Sequence, residues 1–471
     1  MRSIGEKCAV FGIYGKGMDV SRLTFFGLYA LQHRGQESSG IASTDGAEIF
    51  CHKDTGLVAQ VFNEEIIKSL PGHIAVGHNR YSTSQGSGVE FTHPIEVSDK
   101  SLILVHNGNL PSVTALVGFL KKREIKTACE IDLAKASDSM IVTEAIHTLI
   151  KEGKEIEKAV EEIFPLMTGA FSILIMTKNK LIAIRDQYGI RPLSIAKLNG
   201  GYVFASETCA FHPIGANFMR DVNPGEMVVV DEQGLKIKQI VKGTQKLDIF
   251  EFVYFSRPDS NLLGKSIYEV RKNFGIQLAT EHLIDADVVI PVPETAIPVA
   301  IGYAQATGIP FEMGLIKSRY IHRTFIQPEQ HIREQGVKLK LAPLKEAIEN
   351  KRVVVVDDSI VRGTTSRQIV RMLFEAGAKE VHFMVSSPPV KYPDFYGIDL
   401  PRQSDLFAAT KTVEEMNAYL GSTSLNFLSY DGMIKATGLD ESLFCTACFS
   451  GKYPIDLLER KSEVTYPKTE K

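Results

Sequence analysis

Val353-Val354-Val355-Val356-Asp357-Asp358-Ser359-Ile360-Val361-Arg362-Gly363-Thr364-Thr365 runs from four β-branched residues straight into two carboxylates and a small-residue loop. An unbroken apolar run of this kind is the pattern of a parallel strand buried on both faces. Open α/β sheets bind their ligands at the carboxyl ends of the strands. Two adjacent acids at such an end can hydrogen-bond a vicinal diol. The loop and the helical turn that follows, rich in Gly363, Thr364 and Thr365, offer N–H groups and hydroxyls to a phosphate, with the helix dipole assisting. A Walker loop would need a Gly-Lys-Ser/Thr ending, which is absent here. Helix capping would explain one acid, and it requires no hydrophobic run leading into it.

Val288–Ile290 and Val381–Val385 have the same character, and helical stretches alternate with these runs, so the second half reads as α/β with a parallel sheet. The first half reads differently. Phe171–Met176 and Leu181–Arg185 are β-rich, and Ile195–Leu198 and Tyr202–Ala205 flank an Asn199-Gly200-Gly201 turn. Ser137–Lys151 has helical apolar spacing through Met140, Ile141, Ala145, Ile146 and Leu149. Strand pairs of this kind suggest sheet layered on sheet. The change of style near Ile240–Phe250 places a domain boundary there, giving domains 8–245 and 246–471. Thr412–Leu420 and Ile455–Lys461 are expected to be helices packed on the second domain.

The 471 residues suffice for two domains, and the net charge of −3 points to neither nucleic acid nor an anionic membrane. No apolar run approaches a membrane span, and MRSIGEK lacks the apolar core of a signal peptide. Six thinly spread cysteines make no disulfide framework, and the cytoplasm is the expected compartment.

Cys8 precedes the strand-like Ala9-Val10-Phe11-Gly12-Ile13. If residues 1–7 are a propeptide and are removed, the α-amino group of Cys8, with a pKa of about 8, can act as base for its own thiol. Asn107 and Gly108, within His106-Asn107-Gly108-Asn109, can supply a side-chain amide and a backbone N–H as an oxyanion hole. Arg80, in His78-Asn79-Arg80-Tyr81-Ser82-Thr83, can grip an α-carboxylate, and Asp138 can pair with an α-ammonium group. Each has a plain alternative: a turn at 106–109, a surface charge at Arg80, a helix cap at Asp138. Their order after Cys8 favours a site.

These residues resemble the class II glutamine amidotransferases, which are N-terminal-nucleophile hydrolases. Leu31-Gln32-His33-Arg34-Gly35-Gln36-Glu37-Ser38-Ser39-Gly40-Ile41, Arg185-Asp186-Gln187-Tyr188-Gly189-Ile190-Arg191-Pro192-Leu193, Ala205-Ser206-Glu207 and Tyr254-Phe255-Ser256-Arg257-Pro258-Asp259-Ser260 narrow that match. The segment 353–365 is similar to the phosphoribosyl diphosphate (PRPP) loop of type I phosphoribosyltransferases. Joined in one chain, the two resemble the amidophosphoribosyltransferase family. The resemblance implies an αββα sandwich followed by an α/β phosphoribosyltransferase domain. It also implies transfer of ammonia from glutamine to PRPP, giving phosphoribosylamine, the first committed step of purine biosynthesis.

Residue by residue, it implies Cys8 as nucleophile, Asn107 and Gly108 as oxyanion donors, and Arg80 and Asp138 as glutamine binders. For PRPP it implies Asp357, Asp358, Ser359, Arg362, Gly363, Thr364 and Thr365, with magnesium at Asp357, Asp358 and Thr295. Lys317–Lys340, dense in Lys and Arg, is expected to fold over the pyrophosphate as a lid, and Tyr254, Phe325 and Ile326 to line an ammonia channel. Purine nucleotides as feedback inhibitors and a homo-oligomer belong to the same expectation.

Some members of the family bind a [4Fe–4S] cluster through four cysteines. Here Cys445 and Cys448 match the closing pair, while Asp248 and Asp394 stand at the other two positions, so a cluster is not expected. The lone pair leaves other readings open: a relic, half a zinc site, a redox pair or ordinary packing. Pro293-Glu294-Thr295 replaces the family's Pro-Asp-Ser, Ala9 the commoner Gly, and Gln187 the usual Pro; none of these removes a reacting group.

Overall fold

The structure, a computed structural model, describes residues 8–81, 89–123, 136–318, 340–398, 400 and 402–466. The first half opens with β1 (Ala9–Tyr14), helix α1 (Val20–Ala30), β2 (Ser38–Thr44), β3 (Ile49–Thr55) and β4 (Ile74–Arg80). Then come β5 (Ile95–Glu96), β6 (Ile103–Ser112), α2 (Asp138–Lys151), α3 (Ile156–Ile163), β7 (Thr168–Met176) and β8 (Leu181–Arg185). It closes with β9 (Ser194–Leu198), β10 (Gly201–Ala205), β11 (Asn217–Asp221), β12 (Glu226–Asp231) and β13 (Gly234–Gln239). One sheet has seven strands in the order β11-β9-β10-β1-β4-β2-β3; the other has six, β13-β12-β8-β7-β6-β5.

Period-two alternation makes these sheets into a sandwich. Along β1, Ala9, Phe11 and Ile13 face the core under α1, whereas Val10 and Tyr14 face the second sheet. In β7, Leu174 and Met176 meet them, while Phe171, Ile173 and Ile175 pack under α2 and α3. The layers are therefore helix, sheet, sheet, helix. The Asn199-Gly200 turn takes positive φ at both residues, as its composition predicts.

The second half is a four-stranded parallel sheet. Its strands are β14 (Val288–Pro291), β15 (Arg352–Asp357), β16 (Glu380–Val385) and β17 (Ser424–Phe427), lying side by side in that order. Helices α4 (Ile267–Glu281) and α5 (Ile297–Thr307) cover one face through Val289, Val354 and Val356. Helices α6 (Thr364–Glu375) and α7 (Val413–Leu420) cover the other through Val288, Val353 and Val355. Burial on both faces is why these strands lack polar alternation. Thr412 caps α7, reciprocally with Glu415.

Ile455–Lys461 is not an α-helix. The chain there forms a 3-10 turn over Leu458–Glu463, started by Asp456 Oδ1 accepting from the Leu458 N–H at 3.0 Å, and Leu458 has positive φ. Ile455 and Leu457 are apolar because they enter a satellite core with Tyr396 and Phe395, not because they share a helical face.

Candidate functional site

Cys8 is half-buried at the start of β1, beside the end of β4: Ala9 pairs with Asn79, which sets Arg80 at the cysteine's end of the strand. Arg80 is 9% exposed, too buried for a surface charge, and its guanidinium lies 5.7 Å from the Phe91 ring. Ser82 and Thr83 of the same motif lie outside the described residues.

Asn107 and Gly108 are in β6, not in a turn, paired with Ser172 and Phe171 of β7. Gly108 has φ +148°, and an added Cβ would stand 2.0 Å from the Ala170 carbonyl oxygen, so only glycine fits. The Asn107 amide donates to Ser206 Oγ at 3.4 Å, and Ser206 Oγ accepts from Val10 N–H at 2.9 Å, two residues beyond Cys8. Asp138 is the first residue of α2, whose cap is Ser137. Its Oδ2 accepts from Leu110 N–H at 3.0 Å and its Oδ1 from Ser139 N–H at 2.7 Å. Strand pairing and these bonds bring Cys8, Arg80, Asn107, Gly108 and Asp138 to one end of the sandwich.

Asp357 ends β15, and Asp358 N–H donates to Asp357 Oδ1 at 2.9 Å. Asp358 accepts from Ser359 Oγ at 2.6 Å through Oδ1 and from Thr295 Oγ1 through Oδ2. Thr295 precedes α5, so the two βα junctions of adjacent strands meet at this carboxylate. Gly363, with φ +73°, begins α6, and Thr364 is exposed in its first turn beside the half-buried Thr365. Arg362 is half-buried, and its Nε has no hydrogen-bond partner among the described residues. Burial, together with Asp358, pushes the Asp357 carboxyl well above its usual range. Burial, Asp358 and Asp357 likewise raise the Tyr254 phenol. Phe325, Ile326 and the 319–339 part of the expected lid lie outside the described residues. The ends of that stretch are joined, with Lys317 paired to Leu341 across a two-stranded ribbon.

A buried ionic cluster, not foreseen from the sequence, links the halves. Arg34 donates from Nη2 to Glu251 Oε1 at 2.7 Å, from Nη1 to Glu251 Oε2 at 3.0 Å and to Glu207 Oε1, and from Nε to the Cys8 carbonyl at 3.3 Å. Glu207 also takes His33 Nε2 at 2.7 Å, Arg257 N–H at 2.9 Å and Ser260 Oγ at 2.7 Å. Burial opposes the Glu207 charge, but His33 and Arg34 outweigh it and hold the carboxyl well below its usual range. Glu251 begins a π-helical turn whose Phe252 carbonyl accepts from Arg271 Nε at 2.8 Å; the Ser256 carbonyl, which follows the turn, accepts from Nη2 at 2.9 Å. Burial lowers Arg271 to about 10 despite the attraction of Asp358. A buried polar seam thus runs from the Cys8 carbonyl through Arg34 and Glu251 to Arg271 of α4.

A glutamine amidotransferase domain model matches residues 78–213, and a phosphoribosyl transferase domain model matches residues 269–388. The amidophosphoribosyltransferase of Synechocystis sp. is 48% identical over 96% of this chain and 91% of its own length. That of Bacillus subtilis is 44% identical over 98% of this chain and 96% of its own. The chain belongs to the amidophosphoribosyltransferase family. A solved glutamine PRPP amidotransferase from B. subtilis, complexed with ADP and GMP, superposes with a TM-score of 0.87 at 43% identity, covering 96% of this chain and 98% of that one.

The amidophosphoribosyltransferase cluster pattern meets a different donor set here. Cys445 and Cys448 are buried, and burial with Asp248 and Asp394 pushes both thiols well up. Asp248 Oδ1 accepts from Phe250 N–H at 3.0 Å and Oδ2 from Arg191 Nη1 at 3.2 Å. Asp394 Oδ1 accepts from Tyr396 N–H at 2.7 Å and Ile398 N–H at 3.0 Å. With only two thiols in the set and two carboxylates already engaged by N–H donors, these residues do not fit a four-thiolate cluster.

Burial raises both carboxyls, with Asp394 adding to the shift at Asp248. A raised carboxyl contributes most below its unfolded value, near 4, and its contribution is lost as pH climbs through the folded value. Asp394→Asn keeps the acceptor for both N–H groups and removes one charge. Thermal melts of this variant should therefore lose less stability than the parent's between pH 5 and pH 8.

Proposed function

We propose that Cys8 is the nucleophile of a glutaminase site and that the Asp357–Thr365 loop binds PRPP, within an enzyme that moves glutamine's amide nitrogen onto PRPP. The observation that carries the reading is the convergence of Cys8, Arg80, Asn107, Gly108 and Asp138, on separate elements, at one end of the sandwich. The Cys8 thiolate attacks the glutamine amide carbon, and the oxyanion is met by the Asn107 amide and Gly108 N–H. Collapse expels ammonia and leaves a glutamyl thioester, which water cleaves to glutamate. With residues 1–7 removed, the α-amino group of Cys8 carries the proton between thiol and leaving nitrogen.

Ammonia then displaces pyrophosphate from the anomeric carbon of PRPP, giving phosphoribosylamine. The developing oxocarbenium character makes positioning and charge stabilisation the main catalytic terms. Asp357 and Asp358 hold the ribose hydroxyls, and Ser359, Arg362, Gly363, Thr364 and Thr365 hold the 5-phosphate. Asp357, Asp358 and Thr295 suit magnesium, which is bound by one or two carboxylates plus substrate phosphates and not by an all-protein cage. When bound, it neutralises charge on the leaving pyrophosphate.

The domain division at 245/246 is supported by the large sheets ending at Gln239. By analogy with the relative complexed with ADP and GMP, purine nucleotides are ligands of this enzyme too. A homo-oligomer and the cytoplasm complete the reading; among the described residues no helix is long and apolar enough to cross a membrane.

Intact mass after treatment with a glutamine-mimicking diazoketone tests the first site: loss of 1–7 and one adduct at Cys8 are expected, and an uncleaved, unlabelled chain overturns it. For the second site, Asp358→Asn should cut ammonia-dependent phosphoribosylamine synthesis by roughly 10² to 10³-fold while labelling of Cys8 persists. Unchanged synthesis would remove the acid pair from the reaction.

A further inference from the structure

The two edges of β6 are held differently just before the oxyanion pair. On one edge the pairing with β7 is continuous through His106↔Ile173, Asn107↔Ser172 and Gly108↔Phe171. On the other edge β5 is only two residues long and stops after Ile95↔Leu104 and Glu96↔Ile103. Continuing that register would set residue 93 opposite 106, where the ladder no longer exists. The His106 N–H donates instead to Nδ1 of the His93 ring at 3.3 Å, and the His106 carbonyl accepts from Nε2 of the His78 ring at 2.9 Å.

These contacts fix both tautomers. His93 Nδ1 accepts and so carries no proton; His78 Nε2 donates and so carries one. The rings stack at 4.3 Å between centroids, with 22° between planes, and both are buried. Burial drives both towards the neutral form, His78 to about 3 and His93 well below its usual range. Neutrality is what the arrangement requires, since a protonated His93 would turn Nδ1 into a donor facing another donor.

We propose that His78 and His93 are positioning residues for the oxyanion hole, replacing the missing strand by holding both backbone polar groups of His106. The carbonyl of His106 shares a rigid peptide plane with the N–H of Asn107, so this clamp sets the orientation in which β6 presents Asn107 and Gly108. The role rests on Asn107 and Gly108 being the oxyanion donors. It predicts an effect on the rate of amide attack, not on glutamine binding, which belongs to Arg80 and Asp138.

Isosteric rescue tests it. Asn places its Oδ1 near the position of His Nδ1, and Gln places its Nε2 near that of His Nε2. His93→Ala should lower kcat for glutamine hydrolysis by roughly 10 to 100-fold, the scale of a misplaced catalytic group, with KM for glutamine and ammonia-dependent synthesis little changed. His93→Asn should restore most of the rate and His93→Gln should not; at position 78 the order should reverse, with Gln rescuing and Asn failing. Asn107→Ala serves as the reference. If it leaves kcat intact, the oxyanion reading falls and takes the clamp with it. If it lowers kcat while His93→Ala does not, the clamp alone is wrong. Equal rescue by Asn and Gln, or ammonia-dependent synthesis falling in step with hydrolysis, would reduce the histidines to general structural support.

Discussion

Cys8→Ala should abolish glutamine-dependent phosphoribosylamine formation, by at least about 10⁴-fold, because removing a nucleophile leaves only the residual effect of binding and oxyanion stabilisation. The same variant should make phosphoribosylamine from PRPP and added ammonium salt at close to the parent rate. The two outcomes separate because the two proposed sites lie on different sheets: Cys8 opens β1 of the sandwich, whereas Asp357 ends β15 of the parallel sheet. Cys8→Ser is the sharper variant. It keeps the shape, but a hydroxyl is a poor nucleophile at neutral pH, so it should be almost as inactive with glutamine. Assays of product formed from each nitrogen source decide the matter. Glutamine-dependent activity surviving in Cys8→Ala would assign the hydrolysis elsewhere, and loss of both activities together would mean that Cys8 supports the fold.

Much of this was legible in the chain because the informative residues are contiguous. Val353–Val356 specify a strand buried on both faces, and the acids after it can lie only at the ligand end of a parallel sheet. The Asn199-Gly200 turn and the helix beginning at Asp138 were likewise local signals. What escaped is non-local. Arg34 meets Glu207 and Glu251 across separations of 173 and 217 residues, and a lone Arg or Glu in a motif looks like surface until the fold closes over it. His93 gave no signal, because its role depends on where β5 stops. Ile455–Lys461 misled for the opposite reason: its apolar residues answer to a tertiary pocket, not to a helical period.

Arg34→Met should destabilise the protein by about 3–5 kcal/mol, the cost of leaving a buried charge without its partner. Glu207, Glu251 and Arg34 are each fully buried. Burial disfavours the Arg34 charge, yet Glu251 and Glu207 more than offset this and raise its pKa above the usual value. Without Arg34, Glu251 keeps Ser256 Oγ, at 2.6 Å, and the more distant Arg191, at 3.8 Å, which together cannot replace a bidentate guanidinium. The urea midpoint should fall, and glutamine hydrolysis should fall with it, since the guanidinium also holds the Cys8 carbonyl. A double-mutant cycle isolates the pair. Glu251→Gln alone should be costly, but Arg34→Met with Glu251→Gln should recover part of the stability, because both charges of that pair go together while Glu207 keeps His33, the Arg257 N–H and Ser260. Simple additivity of the two substitutions would mean that the seam between the halves is held by packing around Phe252 and Phe255, with the charges incidental. Coupling of a kcal/mol or more, of the size found for residues sharing one network, would make the Arg34–Glu251 pair a direct contributor to the seam between the halves.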